Sequence, residues 1–203
     1  TREMLLDAGA SVHDTNSSGE NATAFAARFG RSEVVELLLS HGMDLESETD
    51  RPYWTSLHRA AAMGHVAIAK ALIRHHPALL DHTDSKGVTA LMAACGRGYT
   101  DIVTLLLGQH ADVNCRVEST GRTALHIASH TSYGSHTTRV LLELSSRLGR
   151  PADVNAVDLQ GLTPLMHACY ADNEGAVREL LHAGATTHAT ATPSATPQAT
   201  MDD

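Results

Sequence analysis

The chain has 203 residues and a net charge of −8, with 15 basic against 23 acidic side chains, a balance that argues against nonspecific nucleic-acid binding. No apolar run approaches the ~18 residues of a membrane span, and no signal-peptide pattern is visible. The cysteine usage, three in all, suits a reducing compartment, so a cytoplasmic or nuclear location is expected.

In chain order, residues 1–15 read as a partial repeat. Leu5-Leu6 fall where a second helix carries its leucine pair, and Asp7-Ala8-Gly9-Ala10-Ser11-Val12 matches the loop after it. No first helix precedes them, so this end reads as a cut edge of a longer array. From residue 16 to 185 one phrase is written five times: Asn21-Ala22-Thr23-Ala24, Thr55-Ser56-Leu57-His58, Thr89-Ala90-Leu91-Met92, Thr123-Ala124-Leu125-His126 and Thr163-Pro164-Leu165-Met166. Successive phrases start 34, 34, 34 and 40 residues apart. A period in this range means stacked units, and a stack offers a long surface before it offers a closed pocket.

Each phrase has a physical grammar. Thr or Asn opens a helix because its side-chain oxygen accepts a hydrogen bond from an orphan N–H of the first turn. Pro164 sits at the first helical position, where a missing N–H costs little. A small pair follows: Ala26-Ala27, Ala60-Ala61, Ala94-Cys95, Ala128-Ser129 and Ala168-Cys169. Gly30, Gly64 and Gly98 then end the helix. A second helix carries Leu38-Leu39, Leu72-Ile73, Leu106-Leu107, Val140-Leu141 or Leu180-Leu181. Gly19, Gly87, Gly121 and Gly161 stand two residues before the next cap, suited to a tight turn.

Two segments break the period. The 40-residue interval places extra length between Leu142 and Asp153, where Leu141, Leu144 and Leu148 keep helical spacing. The second helix of repeat four is therefore expected to be longer by one or two turns, with an insertion near 143–152, ending near Gly149-Arg150-Pro151. It reads as a surface insertion or as a platform for a partner. Residues 186–203 are rich in Thr, Ala and Pro and read as a linker, or as a vestigial sixth finger, because Thr196-Pro197 lies 33 residues after Thr163-Pro164.

The motif resembles that of the ankyrin-repeat family, Gly-x-Thr-Pro-Leu-His-x-Ala-Ala-x-x-Gly, over residues 1 to about 185. The resemblance implies an all-α solenoid of about five stacked helix-turn-helix repeats plus a partial N-terminal one. It also implies hairpin fingers, a concave face lined by first helices, and a role in binding other proteins. Cys95 and Cys169 share the small slot of repeats three and five. With helices ~10 Å apart, two repeats separate them by about 20 Å, too far for a disulfide. Both are expected to be reduced packing residues; Cys115 lies unpaired in a loop.

The candidate site comes from subtraction. Positions that the grammar leaves free lie in the finger, before the cap, and before the helix-ending glycine. They nominate Arg28, Phe29, Arg51, Trp54, Met63, Lys86, Arg97, Arg122, His130 and Tyr170. Tyr53 joins them because it stands where the finger glycine belongs, and a bulky residue is strained at positive φ. Aromatics and arginines are the usual interface anchors. Glu20 is the only acid among these free positions. An acidic chain thus turns an aromatic and basic groove toward a partner that is acidic or bears apolar anchors, with a small anionic ligand as a further candidate. The opposing reading packs the aromatics between fingers and leaves the arginines solvated.

Other chemistry is faint. His126 and His130 have the i, i+4 spacing of a zinc pair, but no Glu follows and no cysteine pair completes a ligand set. No metal or cofactor is implied. There is no Gly-x-Ser-x-Gly, phosphate loop or dinucleotide fingerprint. An enzyme or small-molecule binder on the same scaffold would have to gather Trp54, Arg59, Arg97, His130 and Tyr170 in the groove. Arg59 stands out there, because its helix position is usually apolar.

Overall fold

A computed structural model describes residues 15–16, 20–43, 45, 54–132 and 134–187. Among these are ten α-helices in five pairs, and no strand. The pairs are α1 (Ala22–Arg28) with α2 (Ser32–Ser40), α3 (Ser56–Ala62) with α4 (Val66–His75), and α5 (Ala90–Cys95) with α6 (Thr100–Gly108). Then come α7 (Ala124–His130) with α8 (Gly134–Arg147) and α9 (Pro164–Tyr170) with α10 (Glu174–His182).

Capping residues start the first helices as their chemistry dictates. The Asn21 side chain accepts from Ala24 N at 2.7 Å. Thr89 and Thr163 accept from Met92 N and Met166 N, each at 3.3 Å. In α3 and α7 the cap is reciprocal. The backbone N–H of Thr55 and of Thr123 donates to Nδ1 of His58 and His126, which stand at the third helical position.

Two layers result. Each first helix packs on the next (α1 on α3, α3 on α5, α5 on α7, α7 on α9), and the second helices stack likewise behind them. The core is a ribbon along the seam. Leu57, Leu72, Leu91, Leu106, Leu125, Leu141 and Leu180 are fully buried, each worth about 1.5–3 kcal/mol of transfer free energy. The small pairs are buried from Ala26 to Ser129, which lets first helices approach closely. Cys169 departs from the expectation of a packing residue: it is exposed, because no described repeat covers the far side of α9. Cys95 is buried and Cys115 half-buried, and both are free.

In repeat four, α8 runs 14 residues where the other second helices have nine or ten. Its end is tied back by Ala152 N donating to Ser145 Oγ at 3.0 Å and by Arg150 Nη1 donating to His110 O at 2.7 Å. The start of α8 lies so close to α7 that a Cβ on Gly134 would overlap the Ala128 carbonyl oxygen. In repeat five, Asp172 occupies the helix-ending slot filled by glycine at Gly30, Gly64 and Gly98, with φ of 53°. A left-handed non-glycine residue is strained by about 1 kcal/mol. Asp172→Gly is therefore expected to raise stability by roughly that much, read as a higher urea midpoint; a lower midpoint would show that the aspartate makes a compensating contact. The proposed partial repeat, the Tyr53 finger and the tail beyond Thr187 lie outside the described residues.

Candidate partner-binding face

The site is built on the fingers and the adjoining ends of the first helices. A finger aspartate divides its labour between its two oxygens. Asp84 Oδ1 accepts from Lys86 N and Val88 N, each at 2.9 Å, closing its own finger. Its Oδ2 accepts from Trp54 Nε1 of the preceding repeat at 3.0 Å. Asp158 repeats the device. Oδ1 takes Gln160 N and Leu162 N, each at 2.9 Å, while Oδ2 takes His167 Nε2 at 2.8 Å and lies 3.6 Å from Arg122 Nε. One side chain thus fixes a finger and the residue before the previous cap.

Two polar clusters follow. In the first, the buried Glu20 carboxylate meets Arg28 Nη1 at 3.1 Å and Arg59 Nε at 3.1 Å. The Arg59 contact is a charge contact without a well-aimed hydrogen bond, because its buried Nε–H points off the oxygen. Arg59 lies over the Trp54 ring at 5.3 Å, and Trp54 stacks on His58 at 6.0 Å. Burial alone would raise the Glu20 pKa; hydrogen bonds from Asn16 and Arg28 and the charges of Arg59 and Arg28 outweigh it, and the group ends lower than normal.

The second cluster runs Arg122–Asp158–His167–His130–Tyr170. His130 sits edge-on to His167 at 5.6 Å and stacks nearly parallel to Tyr170 at 5.7 Å, 13° between planes. Burial would raise the Asp158 pKa, but hydrogen bonds from His167, Leu162 and Gln160 pull it below the ordinary carboxylate value. An ionised carboxylate only accepts, so His167 carries its proton on Nε2.

His58 and His126 are interior ties. Their Nε2 atoms donate to Val88 O at 2.9 Å and Leu162 O at 3.1 Å, carbonyls of the next repeat. Their Nδ1 atoms face the Thr55 and Thr123 hydroxyls. Desolvation drives both pKa values down to about 4, against the opposing pull of those carbonyls. With both ring nitrogens engaged, His126 offers no metal ligand. Among the described residues no group of three or more His, Cys, Asp or Glu is arranged to hold a metal ion, and no helix is long and apolar enough to cross a membrane.

The repeating unit, its caps and its inter-repeat histidines converge on one family. A family profile described as Ankyrin repeats (3 copies) matches residues 2–84, 49–117, 77–149 and 114–191. The chain belongs to the ankyrin-repeat family. Comparison with curated proteins found no match. Ankyrin repeats are generally protein-interaction modules.

Within this ankyrin-repeat frame the nominated residues separate. Phe29, Met63, Lys86, Arg97, His130 and Tyr170 are exposed, while Arg28, Trp54 and Arg122 are half-buried in the clusters above. Arg51 and Tyr53 lie outside the described residues. The five residues weighed for an enzyme do not converge: Trp54 and Arg59 meet at one cluster, His130 and Tyr170 at the other, with repeat three between them. Asp84, Asp158 and His167 were not singled out by sequence reasoning. The legible signal was an acid five residues before one cap paired with Trp54 or Arg122 one residue before the preceding cap. His167 also shares Arg59's repeat position, four after the cap.

Proposed function

We propose that this ankyrin-repeat chain is a protein-interaction module whose finger and first-helix surface holds a peptide or domain edge of a partner. The supporting observation is a row of exposed apolar side chains at the C-terminal ends of first helices: Phe29 is 47 % exposed, Met63 39 % and Tyr170 84 %. These residues leave the core intact yet present large apolar area on stiff helix ends, the character of interface anchors. Arg97 and Lys86 are exposed between them and favour acidic groups on the partner. Trp54, Arg28 and Arg122 shape the walls, and His130 extends the same face; Arg51 and Tyr53 are candidates on their sequence positions alone. The stacked scaffold keeps these groups in place before binding, which lowers the ordering cost.

The test is a Met63→Ala/Tyr170→Ala variant in affinity capture. Each truncation removes an anchor worth about 1–2 kcal/mol, so partner retention should fall by at least tenfold with an unchanged thermal midpoint. Undiminished retention by a folded double variant would remove the anchors from the interface.

A further inference from the structure

Two arginines of this face are held in an unusual way. Arg59 and Arg122 each turn Nε toward a buried carboxylate, Glu20 at 3.1 Å and Asp158 at 3.6 Å. In each the Nε atom is shut off from solvent, whereas the terminal amino groups are neither shut off nor hydrogen-bonded among the described residues. The side chains remain 21 % and 31 % exposed. Each guanidinium is therefore drawn in at its inner edge by charge attraction without a hydrogen bond, with its outer two-nitrogen edge left for something else. Trp54 backs Arg59 and limits its rotation. Glu20 is also shared by Arg28, so one carboxylate faces two cations and leaves positive charge over.

A guanidinium that presents its outer edge in this manner suits a carboxylate, which it binds through two parallel N–H···O bonds. Arg59 stands in repeat two and Arg122 in repeat four. At ~10 Å between stacked helices, two repeats separate them by about 20 Å. An extended chain covers that distance in about six residues at ~3.3 Å each. Lys86 and exposed Arg97 of repeat three lie between, and add attraction without fixed direction.

We propose that Arg59 and Arg122 are paired carboxylate receivers, and that the occupant of the groove is an extended acidic segment of a partner protein with two acidic groups about six residues apart. The inference rests on the protein-binding reading and adds the chemistry and spacing of what is bound.

Fluorescence anisotropy with synthetic peptides tests it. One labelled peptide carries two Glu-Glu pairs six residues apart, a second carries them three apart, and a third replaces every Glu with Gln. The six-residue spacing should bind about tenfold tighter than the three-residue spacing, and the Gln peptide should show no saturable binding. Arg59→Lys and Arg122→Lys keep the charge but lose the fork, and each should weaken the six-residue peptide about fivefold or more. Circular dichroism melts confirm that each variant is folded, and Arg147→Lys, an exposed position on the second helix α8 away from the fingers, serves as the control expected to change little. Equal affinity for the two spacings, binding of the Gln peptide, or Lys variants that bind like the parent would overturn the receiver pair. A natural partner still captured by the Arg59→Lys/Arg122→Lys chain would also overturn it while leaving the protein-binding reading standing. Loss of capture only in the Met63→Ala/Tyr170→Ala chain would point to apolar contacts as the whole of recognition, and would overturn it too.

Discussion

Lowering the pH from 7 to 4.5 is expected to remove several kcal/mol of folding stability, most of it from groups other than carboxylates. The cause is the pair His58 and His126. Both side chains are fully buried and neutral, with pKa values lowered from 6.5 to about 4. Above pH 6.5 both rings are neutral in the folded and unfolded chain, and the contribution is fully present. Below 6.5 the unfolded chain binds protons that the folded chain refuses until about pH 4, so stability falls through that window. At pH 4.5 the loss is on the order of 2–3 kcal/mol for each ring. Two such losses are a large share of the ~5–15 kcal/mol that keeps a domain folded. Glu20 and Asp158, whose pKa values are lowered, add a loss of the same sign that begins as the pH reaches the ordinary carboxylate values and grows below them. Urea melts at pH 7, 6, 5 and 4.5 read the slope directly. A His58→Gln/His126→Gln chain is the control. Glutamine at the third helical position still reaches back to the cap, so this chain should start less stable at pH 7 but lose far less on acidification. Parallel slopes in the two chains would place the acid sensitivity elsewhere.

The same histidines show why the fold was legible. A capping Thr, a ring three residues later and a small pair five to six residues later each solve a local problem, and local problems leave local sequence signals. Their recurrence near every 34 residues reports the stack, and the 40-residue interval reports the longer α8. The chemistry of the face was less legible, because it depends on pairs far apart in sequence. Trp54 and Asp84 are 30 residues apart, Arg122 and Asp158 are 36 apart, and Glu20 meets Arg59 across a repeat boundary. Read singly, Asp84 and Asp158 are ordinary turn residues and the arginines are free cations. Read as neighbours across the stack, the aspartates add acid to a face whose free positions carry only Glu20, and the half-buried arginines turn toward buried carboxylates. Tyr53, which stands in a glycine slot of the repeat, lies outside the described residues. Arg59 was conspicuous for its polarity in an apolar slot; its counterpart His167 was equally anomalous and marks the second cluster.

Asp158 is the residue at which the second cluster should fail most completely. Its side chain is buried, and its two oxygens serve Gln160 N, Leu162 N, His167 and Arg122. Asp158→Ala leaves two finger N–H groups without their acceptor. It also strands the buried His167 donor and removes the counter-charge of Arg122. Three N–H donors left without their acceptor, at about 1–3 kcal/mol for each one kept from water, put the cost at about 3–5 kcal/mol, with the half-exposed Arg122 adding little. The urea midpoint should fall accordingly at constant slope. Asp158→Asn is the discriminating variant. Its Oδ1 still closes the finger, but its amide presents N–H where His167 also presents one. His167 relieves the clash by moving its proton to Nδ1 and accepting at Nε2, and the cost falls to about 1–2 kcal/mol, that of a weaker neutral hydrogen bond. Asp84→Ala makes the comparison across the stack. Asp84 is only half-buried and bonds the neutral Trp54 ring, so its loss should cost less than that of Asp158. If Asp158→Ala proved no worse than Asp84→Ala, the charge at the second cluster would be contributing nothing to stability. The carboxylate would then act solely as the finger's acceptor, and Arg122 would keep its position by packing alone.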